Sequence, residues 1–146
     1  MNVVKIKQIE KELLSVYDFD LVITASGYET RASYFVDNCG FDISYIKNKY
    51  VLAFTTDPFS ITRKKNDEVF LKHGFNFVLC AGSSSKEIID IISDLILGTS
   101  KKEIFIIIDY SSMTRIWYGA VISFLKTLEN KSKTVHLFFS YTEDEF

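Results

Sequence analysis

The residues best equipped for chemistry lie in "DYSSMTR", positions 109–115. Asp109 brings a carboxylate, Ser111 and Ser112 bring hydroxyls, and Arg115 brings a guanidinium. Such a set can read a hydroxyl or a base edge and hold an anion through charge-assisted hydrogen bonds. "SGYETR" repeats the combination with Ser26, Gly27, Tyr28, Glu29 and Arg31. "TTDPF" adds Asp57 and Phe59, "AGSSS" adds Ser83, Ser84 and Ser85, and "SYTEDE" closes the series. Arg31 and Arg115 suit an anionic target such as a phosphate, and Tyr28 or Phe59 could stack on a ring. If the site is catalytic, Glu29 or Asp109 is the carboxylate to expect. It would act as nucleophile or stabilise a developing oxocarbenium ion at an N-glycosidic bond.

Other chemistries are disfavoured. "SGYETR" has one glycine where a dinucleotide fold needs a glycine series, and it lacks the glycine–lysine pair of a phosphate loop. His73 sits at a helix end and His136 inside a strand, so neither falls where a serine triad needs it. Cys39 and Cys80 have no CxxC spacing and read as reduced thiols. No His, Cys and Asp spacing suggests a metal, and no cofactor is expected. The net charge of -2 argues against a domain built to hold duplex DNA. No stretch reaches the ~18 apolar residues of a membrane span, and no apolar signal block opens the chain. A cytoplasmic protein is the expectation.

The elements that must carry these residues show in the apolar pattern. Hydrophobic residues make up 47% of 146, enough for one globular domain. Continuous apolar runs at 19–26, 50–57, 75–82, 102–109 and 134–141 read as strands buried on both faces. "FDISYI" reads as a further short extended piece. Between the strands, 29–40, 60–74, 83–98 and 114–130 read as helices, with Ser60 a cap and Gly40 and Gly74 stops. Ile6, Ile9, Leu13 and Val16 recur at helical spacing and predict an amphipathic helix ahead of the first strand. The alternation implies a three-layer Rossmann-like open sheet of about five mainly parallel strands with helices on both faces. In such sheets ligands bind at the carboxyl ends of the strands, where strand order reverses. Every polar cluster named above follows a strand, whereas the opposite ends ("YDFD", "KNKY", "SKKE", "KSKT") are plainer.

Structural roles compete for these residues. Asp109, Ser111 or Ser112 could cap the helix that holds Trp117, and Glu29 suits a helix start. Arg31 and Arg115 are cations in the first turn of a helix, an unfavourable place unless paired. Arg115 could pair with Glu29 or Asp109 instead of clamping an anion. "AGSSS" could form a generic anion nest.

"DYSSMTR" is similar to the aspartate-x-threonine-histidine-glycine-x-arginine element of CRISPR-associated Rossmann fold (CARF) sensor domains. Asp109, Ser111 and Arg115 stand in for its members, with Arg115 one position late, while Ser112 and Met113 replace the histidine and glycine. "TASGYETRASYF" resembles the first-strand ligand loop of that group. The resemblance implies a prokaryotic antiviral sensor that binds a cyclic or linear oligonucleotide across a homodimer, with an attached or separate effector. The expected function is thus a sensor for a nucleotide-like or phosphorylated small molecule. The alternative is a nucleoside or NAD N-glycosidase like TIR-type or nucleoside deoxyribosyltransferase-like domains. The last strand has no covering helix behind it, so a larger protein or a dimer is also expected.

Overall fold

The computed structural model describes residues 7–56, 58–128 and 132–143. Strand β1 (Leu21–Ser26) is buried along its whole length, as its unbroken apolar run requires. A 3-10 turn (Thr30–Ser33) leads into the short helix α1 (Tyr34–Asn38), and β2 (Asn48–Phe54) follows. Then come α2 (Ile61–Lys72), β3 (Asn76–Cys80), α3 (Lys86–Gly98), β4 (Glu103–Asp109), α4 (Arg115–Thr127) and β5 (Thr134–Ser140). The sheet order is β3-β2-β1-β4-β5, and every pairing is parallel. Strand order therefore reverses between β1 and β4.

Side-chain alternation divides the core into two layers. Leu21, Ile23, Ala25, Ile104, Ile106 and Ile108 pack with α3 and α4 through Ile88, Ile92, Ile96, Trp117 and Val121. Val22, Val51 and Ile107 pack on the other face against Phe35, Val36, Phe70 and Phe75. Asp109 follows Ile107 by two residues, and Thr24 and Ser26 follow Val22 by two and four. These polar side chains thus share the face that carries α1 and α2.

Local signals behave as the sequence suggests at several ends. Ser60 Oγ accepts from the Arg63 amide at 3.1 Å and caps α2. Gly40 and Gly74 take φ of 80° and 76°, the left-handed region that ends a helix. Other expectations are overturned. The amphipathic N-terminal helix is a 3-10 turn at Lys11–Val16 with no buried residue. Leu13 and Val16, its expected core face, are 53% and 73% exposed; Ile6 lies outside the described residues. "FDISYI" forms a 3-10 turn at Ile43–Tyr45 rather than a strand. The expected caps of α4 are also wrong: Thr114 is the cap and accepts from the Trp117 amide at 3.3 Å. No helix among the described residues is long and apolar enough to cross a membrane.

Candidate ligand site at the strand-order reversal

Three chain segments meet where β1 and β4 end. Gly27 is buried in the turn after β1, where an added Cβ would lie 3.0 Å from a ring carbon of Phe54. The turn delivers Glu29 and Arg31. Arg31 Nε donates to Glu29 Oε2 at 2.6 Å, and both side chains are mostly shielded from solvent. Arg31 Nη1 donates to the Tyr141 hydroxyl at 2.9 Å and to the Thr142 carbonyl at 3.1 Å. Its guanidinium carbon also lies 5.2 Å from the Tyr141 ring centre, within cation–π reach. The segment after β5 thus joins the site, though its tyrosine carries no apolar or charge pattern that singles it out in sequence.

Asp109 ends β4 at 1% exposure, beside Ser140 in the register with β5. Ser111 Oγ donates to Asp109 Oδ1 at 2.6 Å, and the same hydroxyl accepts from the Thr142 amide at 2.8 Å. Burial pushes the Asp109 carboxyl up to about 6. The hydroxyl and amide of Ser111, the charge of Arg31 and the hydroxyl of Ser140 pull the other way and do not offset it. Ser112 Oγ and Thr24 Oγ1 are buried hydroxyls with no hydrogen-bond partner among the described residues. An unmet buried hydroxyl costs about 1–3 kcal/mol.

Beneath the turn, α2 presents a polar stripe. Asn66 Nδ2 donates to the Gly27 and Glu29 carbonyls at 3.0 and 2.8 Å, which fixes the turn that carries Arg31. Asp67 Oδ1 accepts from Ser26 Oγ at 2.6 Å and from Arg63 Nε at 2.9 Å. Arg63 also donates to the Phe54 carbonyl at 2.8 Å and is 3% exposed. Residues 63, 66, 67 and 70 share one helical face, so their spacing was a usable signal. Their polarity made them read as solvated.

The remaining candidates sit elsewhere on the carboxyl edge. Arg115 is exposed at the start of α4, in the layer opposite α1. The pairing of Arg115 with Glu29 or Asp109 is therefore corrected: Glu29 meets Arg31, and the charge acting on Asp109 is that of Arg31. Ser83 and Ser84 follow β3 at the sheet edge, two strands away from β1. Ser84 Oγ donates to Glu87 Oε2 at 2.7 Å, which holds the Glu87 carboxyl below its usual range. The neighbouring loop reaches α4: Thr114 Oγ1 donates to the Gly82 carbonyl and Trp117 Nε1 to the Ala81 carbonyl. Tyr28 and Phe59 are 69% and 82% exposed on the rim. Asp57 lies outside the described residues.

Two open concavities occur at the other edge of the sheet. One is lined by Asp37, Cys39, Asp42 and His73, the other by Tyr17, Lys101 and Glu103. His73 Nε2 lies within hydrogen-bond reach of Asp37 at 3.0 Å, and Lys101 pairs with Asp20 at 2.5 Å, so these groups already have protein partners. At the strand-order reversal the side chains of Arg31, Glu29, Asp109 and Ser111 bond to one another and to the segment after β5. Comparison with known protein families, with characterised proteins and with solved structures gives no match.

Proposed function

We propose that the domain is a binding module for a nucleotide-like or phosphorylated small molecule, held at the reversal between β1 and β4. One observation carries this reading. Arg31, Glu29, Asp109 and Ser111 come from separate parts of the chain and gather where an open parallel sheet binds ligands. Arg31 would contact the anion, Ser111 and Ser112 would supply hydrogen bonds, and Tyr28 would stack on a ring. Ser112, three residues past Asp109, is a buried hydroxyl with no hydrogen-bond partner among the described residues. Arg115, Ser83 and Ser84 would extend the site only for a ligand long enough to cross toward α4.

The glycosidase alternative is less well supported. It needs a carboxylate facing open space, whereas Glu29 is paired with Arg31 and Asp109 is buried beneath Ser111. The resemblance to CRISPR-associated Rossmann fold sensors adds a setting to the proposal: prokaryotic antiviral defence, a homodimer, and an effector that reads the bound state.

The test is thermal unfolding against a panel of cyclic dinucleotides, linear oligoadenylates and mononucleotides. At least one is expected to raise the midpoint by several degrees, and Arg31→Ala is expected to abolish the rise. Release of free base from NAD or a nucleoside, lost in Asp109→Asn or Glu29→Gln, would replace the sensor reading with the enzyme.

A further inference from the structure

The end of β5 and the residues after it bond directly to the site. Tyr110 N–H donates to the Ser140 carbonyl at 3.0 Å, and Thr142 N–H donates to Ser111 Oγ at 2.8 Å. The Tyr141 ring stacks on Tyr110 with centres 5.2 Å apart, while its hydroxyl and the Thr142 carbonyl take Arg31 Nη1. Arg31 and Ser111 are two of the groups assigned above to the ligand. Tyr141 and Thr142 thus already use an Arg31 donor that an anion would need, and the Thr142 amide occupies an acceptor lone pair of Ser111.

We propose that Tyr141 and Thr142 form a strap that acts as an internal stand-in for the ligand. Binding of an anion at Arg31 releases it. The inference rests on the binding reading given above and adds its regulation. The exchange has a favourable direction. Arg31 gives the strap hydrogen bonds to two neutral oxygens, whereas a phosphate offers charged oxygens that add ion-pair attraction and can take the guanidinium in a bidentate pair. Tyr141 is 51% exposed, so about half of its surface is already in water before it leaves Tyr110. Ser111 couples the two halves of the device, because one hydroxyl serves both Asp109 and the strap amide. When the Thr142 amide leaves, Ser111 keeps its bond to Asp109 and the amide becomes free to exchange with solvent. The ligand's differential affinity for the open state becomes movement of the chain beyond β5.

The experiment uses the full chain, inorganic phosphate as the probe, and amide hydrogen exchange at Thr142 followed by NMR. Saturating phosphate is expected to speed Thr142 exchange about tenfold in the wild type and to leave it unchanged in Arg31→Ala. A strap closed about nine-tenths of the time lowers apparent affinity about tenfold. Tyr141→Ala should therefore bind phosphate about tenfold more tightly than the wild type. Thr142→Pro, which removes the amide donated to Ser111, gives a second route to the same tightening. Phosphate binding that shifts the Arg31 side-chain signal while Thr142 stays protected would overturn the strap and leave the binding reading standing. No phosphate response at Arg31 in the wild type or either variant would overturn both.

Discussion

Asp109 shows how far a single residue can depart from its usual behaviour. It accepts hydrogen bonds from Ser111 yet titrates at about 6, because a carboxylate at 1% exposure loses more hydration than its donors restore. The sign follows from linkage. The folded state holds this proton up to about pH 6, whereas the ordinary value is 3.8. The contribution to stability is complete below about pH 4 and is lost as pH rises through about 6. The difference corresponds to on the order of 3 kcal/mol. Asp109→Asn, unfolded in urea from pH 4 to pH 7, should gain stability relative to the wild type by about that amount. A difference that stays flat across this range would refute the assignment. The cysteines give a second residue-scale expectation. Burial, then the hydrogen bond to Glu87, pushes the Cys80 thiol up to about 12, and burial raises that of Cys39. Both should resist alkylation at pH 8 in the folded protein and react once it unfolds, as read by mass spectrometry. Sequence identified Asp109 and Arg31 as chemical residues from their position after apolar runs. It could not pair them, because pairing depends on how β5 and its following segment return to β4.

At the scale of elements, apolar runs were the reliable signal and short periodic patterns were not. β1 and β4 are buried nearly throughout because they lie inside the sheet. β3 has an equally apolar run but is the edge strand, and Leu79 is 69% exposed. A run of apolar residues reports strand-forming tendency; strand order decides how much of it is covered. The segment before β1 failed for a related reason: four apolar residues at helical spacing do not make a helix without packing to hold it. Tyr17 takes the place instead, with its ring 4.9 Å from that of Phe138 and 5.9 Å from that of Phe105. α2 was legible in extent but not in role, since its inward face is Arg63, Asn66 and Phe70. Arg63→Met keeps much of the stem volume but strands Asp67 and the Phe54 carbonyl. It should cost about 3 kcal/mol, measured by urea unfolding, and should weaken ligand binding by loosening the turn that Asn66 holds. An effect below about 1 kcal/mol would show that α2 does not depend on this network. Gly27 is explained from the opposite layer, because its lack of a side chain lets Phe54, stacked on Trp117 of α4, close against the turn.

Across the whole molecule, the sheet order gives the site its place. The chain builds β1, β2 and β3 outward, then returns to add β4 on the other flank of β1, which puts the reversal of strand order at that junction. The asymmetry between polar carboxyl ends and plainer amino ends was readable in sequence. Its partition was not: Arg31 and Asp109 share the α1 side, while Arg115 rises from the α4 side. The central claim is that the β1–β4 junction, rather than either concavity at the opposite edge, receives an anionic ligand. The most direct measurement is a backbone and arginine side-chain NMR titration with the nucleotide that gives the largest thermal shift. Signals of residues 26–31, 109–112 and 140–142 should move together and saturate with one dissociation constant. Changes confined to Asp37, Asp42 and His73, or to Lys101 and Glu103, with Arg31 unmoved at saturation, would contradict it.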